Sequence, residues 1–160
     1  MGHLSEFSFT LRTFLRAYPW RRINPVPWTP LQKPLSECRL AIVSSAGFVL
    51  RGQEPFDESV RGGDVTFRQI TSDASVSDLV DTHRSESFDH EGMSSDPNLG
   101  FPLQRARELV ASGRVGSLAA HHLSFMGSIT APGRLVRDSA PAAVTTLVDD
   151  AVDIALLVPV

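Results

Sequence analysis

Five histidines, one cysteine and a scatter of carboxylates are the side chains of this 160-residue chain that could move protons, hold a metal or attack an electrophile. Cys38 is the single thiol, so no internal disulfide framework can form. It precedes an apolar run, whereas reactive groups in an open α/β sheet gather beyond the carboxyl ends of strands. We therefore expect Cys38 to be a small buried residue. His83, Asp89, His90, His121 and His122 raise the question of a metal. No H-x-x-x-H or C-x-x-C spacing is present, and adjacent strand residues such as His121 and His122 point to opposite faces. No metal is expected. Arg68 could clamp a carboxylate bidentately or be a solvated strand residue, and Asn98 could fix a loop or a substrate carboxylate. Ser45, Ala46 and Gly47 are small residues after an apolar run, fit either for a ligand loop or for a plain turn. The G-x-G-x-x-G fingerprint of a dinucleotide site is absent.

The elements that must position these residues follow from periodicity. Leu4, Phe7, Leu11, Phe14 and Leu15 recur at near-helical spacing, which predicts a helix over 3–18. Residues 23–36 contain four prolines and are expected to form an extended arm, with Trp28 anchoring it. Residues 39–44 are a continuous apolar run suited to a strand buried on both faces. A second strand is expected over 65–70, a short helix from Ser75, and loop over 84–100. Pro102 opens a helix with Leu103, Ala106, Leu109 and Val110 inward, and Gly113 stands where its carboxyl-terminal cap belongs. A strand follows over 117–125, broken by Gly127. Ser139 and Pro141 open another helix with Val144, Leu147 and Val148 inward, and residues 153–158 read as a central strand. This order predicts an α/β, Rossmann-like three-layer fold with a mainly parallel sheet. It divides the chain into a helical segment (1–22), a proline-rich arm (23–37) and an α/β domain (38–160).

Composition narrows the function classes. A net charge of −3 gives no general pull toward nucleic acid or anionic membrane. No uncharged apolar run is long enough to cross a bilayer. The first residues mix charge with apolar positions and lack a small-residue cleavage site, so a cytoplasmic location is expected.

The residues also resemble a known family. Pro27-Trp28-Thr29-Pro30-Leu31, Leu40 through Gly47, Gln53 through Phe56 and Asp64 through Ile70 occur in order, followed by Asp78-Leu79, His83 and Phe88-Asp89. The strongest blocks are Asp96 through Arg105 and His121 through Gly127. Together they resemble the selenoprotein B subunits of the glycine, sarcosine, betaine and D-proline reductases, above all the D-proline branch. The resemblance implies a reductase subunit that cleaves a carbon–nitrogen bond alpha to a carboxylate. A partner subunit would supply a pyruvoyl group that captures the substrate amine, and a selenolate or thiolate would attack the alpha carbon. A thiol or selenoprotein donor would supply the electrons.

In that family the strand matching 153–158 runs into a turn bearing selenocysteine or cysteine. The expectation is that this residue lies just after Val160, that the fold is incomplete at its carboxyl end, and that the 160 residues alone are inactive. No cofactor is expected on this chain itself. Candidate pocket residues are Ser45, Ala46, Gly47, Arg68, His83, Asn98, His121, Met126 and Gly127, with an amino acid or betaine as substrate. The alternatives are a non-catalytic α/β binding or scaffold module, or a truncated gene product that does not fold.

Overall fold

The computed structural model describes residues 8–18, 22–86 and 88–160, so the first seven positions of the expected helical segment lie outside it. The chain divides into two compact units, residues 1–30 and 31–160. In the first, α1 spans Phe9–Ala17 and is capped by Ser8, whose Oγ accepts from the Leu11 amide at 3.4 Å. The arm over 22–34 forms no helix or strand, in keeping with its four prolines, and the expected extended conformation gives way to a 3-10 turn over Leu35–Glu37. Trp28 lies in the first unit and is 83% exposed.

The second unit is built on a mixed sheet. Strand β1 (Arg39–Ser44) is its centre, pairing in parallel with β7 (Ile154–Val158) on one side and with β5 (Ser117–Leu118) and β6 (His121–Phe125) on the other. Strand β3 (Phe67–Thr71) closes one edge antiparallel to β6. The expected α/β class with a mainly parallel sheet is therefore observed. A separate antiparallel ribbon joins β2 (Phe48–Leu50) to β4 (Leu79–Asp81).

Alternation along β1 sorts the two faces. Leu40 and Ile42 enter the main core with Ile70, Phe101, Leu103 and Ala106. Leu103 and Ala106 belong to α3 (Leu103–Ala111), which ends before Gly113 as expected. Val43 turns the other way, toward α4 (Ala140–Asp149).

Several expectations are corrected. The 84–100 segment contains α2 (His90–Ser95), capped by the Asp89 carboxylate, and a 3-10 turn over Pro97–Leu99. The expected strand over 117–125 is two strands. Only Ala143 of α4 is buried, while Val144 is 57% and Val148 67% exposed. β7, expected at the centre, pairs only with β1 among the described residues and exposes 69% of Leu157.

Candidate functional site

The carboxyl ends of β1, β6 and β7 meet at a cavity of about 520 Å³ roofed by α4 and the turn before it. Its walls are Val43, Leu123, Phe125, Ala155 and Leu157 from the sheet and Ala143, Val144 and Leu147 from α4. Parallel topology explains its location, because side chains and loops at the carboxyl ends of such strands diverge and leave a crevice. Three of the candidate residues line it: Ser45, Met126 and Gly127. Among the described residues no charged side chain lines it.

Ser45 links all three strand ends. Its amide donates to the Val158 carbonyl at 3.1 Å, and its carbonyl accepts from the Gly127 amide at 2.8 Å. Its Oγ accepts from the Val160 amide at 2.9 Å. Gly127 is required by this approach, since a Cβ there would sit 2.8 Å from the Ser45 carbonyl oxygen.

The remaining candidates lie away from the cavity walls. Ala46 is buried and bridges Met126 on the core side. Gly47 has φ of 71°, and a Cβ would come within 3.1 Å of His83, so the turn leaves room only for glycine. Arg68 spends its guanidinium on the Glu54 and Pro55 carbonyls at 2.7 and 2.9 Å and lies over the Phe56 ring. Asn98 fixes a loop: its Oδ1 accepts from the Gln104 amide at 3.1 Å and its Nδ2 donates to Asp96 at 2.9 Å.

His83 is buried, stacked on Phe88 with ring centroids 4.2 Å apart. Its Nδ1 accepts from the Ser85 amide, and its Nε2 has no partner among the described residues. Burial pushes its pKa down. The neighbouring His90 is the reverse case, raised by its hydrogen bond to Asp81.

His121 and His122 point to opposite faces, as strand geometry dictates. His121 meets Asp150 at the end of α4, at 3.1 Å. His122 is fully buried under Phe101, and burial lowers its pKa to about 4. The Ile42 amide donates to its Nδ1 at 3.1 Å, which assigns the ring proton to Nε2, 3.0 Å from Ser72 Oγ. Scattered histidines are more often hydrogen-bonded structural residues, and His122 is one, although its long-range partners leave no local pattern in the sequence. Cys38 is buried as expected, with Sγ 3.3 Å from the Pro34 carbonyl. Among the described residues no group of three His, Cys, Asp or Glu side chains is placed to hold a metal ion.

Comparison with known proteins gives this geometry a lineage. The family model described as glycine/sarcosine/betaine reductase selenoprotein B matches residues 9–159. The chain is 32% identical over 136 residues to the D-proline reductase subunit gamma of Acetoanaerobium sticklandii, covering 84% of this chain and 54% of that protein. It is also 32% identical over 120 residues to the sarcosine reductase complex component B subunit beta of Peptoclostridium acidaminophilum, covering 75% of this chain and 28% of that one. The chain thus spans about half the length of the first relative and under a third of the second. No solved structure matches. With its strand-end blocks in order and the match running nearly end to end, the chain belongs to the glycine/sarcosine/betaine reductase selenoprotein B family.

Proposed function

We propose that this chain forms the scaffold of a selenol- or thiol-dependent reductase subunit, with the reactive selenocysteine or cysteine following Val160 in the extended protein. The observation that carries this is the apolar cavity at the carboxyl ends of three parallel strands, in a member of this family. Residues 38–160 make the reductase domain, preceded by the arm and the helical segment, and its compartment is cytoplasmic. Substrates are glycine, sarcosine, betaine or D-proline.

On the family's pattern a pyruvoyl group on a partner subunit would activate a primary or secondary substrate amine for departure, whereas betaine, whose nitrogen carries no hydrogen, would lose trimethylamine without that activation. The selenolate or thiolate attacks the alpha carbon, breaking its bond to nitrogen. A dithiol then resolves the adduct: two electrons pass to carbon, a carbon–hydrogen bond forms and the dithiol becomes a disulfide. A selenolate suits the attack because it is ionised at neutral pH, where thiols of ordinary pKa are mostly protonated. Ser45, Met126 and Gly127 would border the reacting atoms, while Ala46, Gly47, Arg68, His83 and Asn98 shape the loops around them and His121 stands at the opposite, amino end of β6. The uncharged walls leave the substrate carboxylate to be met by a group outside them.

The test is turnover. The extended protein, with cysteine at the reactive position, is combined with a pyruvoyl-bearing partner and dithiothreitol and offered the four substrates. Dithiol-dependent release of the amine, or of the ring-opened acid, is the expected result. No turnover with any of them sinks the enzyme reading in favour of a non-catalytic scaffold.

A further inference from the structure

We propose that Ser45 is a positioning residue, whose hydroxyl clasps the Val160 peptide to the ends of β1 and β6 and so aims the residue that follows into the cavity mouth. The inference rests on the reductase reading above, because it needs a reactive residue next to Val160. It goes beyond that reading by giving one side chain a task that is not substrate contact.

Three observations converge on it. First, Ser45 Oγ accepts from the Val160 amide at 2.9 Å, which ties that peptide group to the end of β1. Second, Ser45 is itself held from both sides by its main chain, through Val158 and through Gly127. The hydroxyl thus stands on a rigid seat. A restraint mounted on a mobile loop would transmit little. Third, Ser45, Gly127, Val158 and Pro159 all border the cavity, so the clasp stands at its open rim.

The chemistry makes the hydroxyl's role specific. β7 is followed by Pro159, which has no amide proton and cannot extend the ladder to β1. Past that proline the backbone leaves the sheet and needs a new hydrogen-bond partner, which Ser45 provides. Geometry held to a fraction of an ångström is what attack on an alpha carbon demands, and a misplacement of about 1 Å can cost about a hundredfold in rate.

The experiment uses the extended protein with cysteine at the reactive position. Its alkylation by iodoacetamide is followed from about pH 5 to about pH 9, with peptide mapping to score buried Cys38 separately. Amide exchange at Val160 and dithiol-dependent turnover are measured alongside. Ser45→Ala is expected to raise exchange at Val160 without changing that of β1, to shift the alkylation profile, and to lower kcat about tenfold or more at little change in KM. Ser45→Thr, which keeps the hydroxyl, is expected to restore all three. An S45A protein with the parent's alkylation profile and kcat overturns the inference while the reductase reading stands. A parent protein whose added cysteine reacts as slowly as Cys38 and supports no turnover overturns both. Should S45A alone fail to fold, Ser45→Cys serves: normal turnover with a group that hydrogen-bonds so weakly counts against the clasp.

Discussion

His122 is the clearest case of a residue whose surroundings dictate its charge. Its Nδ1 faces the Ile42 amide, so a proton added there would set two donors against each other in a fully buried site. Burial, with Arg107 nearby, holds the pKa at about 4 against an ordinary 6.5. The unfolded chain therefore takes up the proton first as pH falls. Stability is complete above about pH 6.5 and drains away toward about pH 4, by on the order of 3 kcal/mol. In urea denaturation at several pH values, His122→Gln is expected to be less stable than the parent at pH 7 yet to lose less on acidification. Gly127 offers a second test at this scale. An alanine Cβ would press on the Ser45 carbonyl, main chain against main chain, where neither side can easily yield. Gly127→Ala is expected to cost about 1–3 kcal/mol, read as a lowered urea midpoint.

Among the elements, the segment after β4 carries its own fastening. Asp81 accepts from the His83 amide at 2.8 Å and binds His90 Nδ1, while Phe88 packs between the two imidazoles. His90 has a raised pKa, so the ion pair is present in acid and lost as pH rises through the folded-state value. Amide exchange over 88–93, normalised to intrinsic rates, is expected to quicken on that rise, and Asp81→Asn to quicken it at all pH values. What the sequence disclosed about elements depended on their length. β1 is legible because Leu40 to Val43 is an unbroken apolar run that opens into the small residues Ser44 to Gly47, and α3 because Leu103 and Ala106 fall on one face before a glycine. The three-residue strands β2 and β4 carry no period to detect, and they pair across about thirty residues. α4 misled because Val144 and Val148 outrank Ala143 in hydrophobicity, although the close-packed position takes the smaller side chain. At the site, Ser45 and Gly127 stood out as small residues beside strands. Their tie to Val160 did not, since 115 positions separate Ser45 from its partner.

For the whole molecule, the decisive contrast lies between the two sheet faces. The α3 side is closed by Phe101, Leu103 and Ala106, while the α4 side keeps its cavity and exposes Val144, Val148 and Leu157. Contiguous apolar surface of this kind binds amphiphilic dyes without unfolding. The native chain is expected to enhance anilinonaphthalene sulfonate fluorescence, and Val144→Asp with Leu157→Asp to remove most of that signal at an unchanged urea midpoint. No helix among the described residues is long and apolar enough to cross a membrane, so this surface belongs to no membrane-spanning helix of the described chain. β7 gives the same asymmetry a colloidal meaning. Its five residues, Ile154 to Val158, carry neither charge nor proline, and such an edge is a template on which another strand can add. Solutions of these 160 residues should therefore have a concentration ceiling set by strand addition at β7, lifted by whatever polypeptide caps that edge.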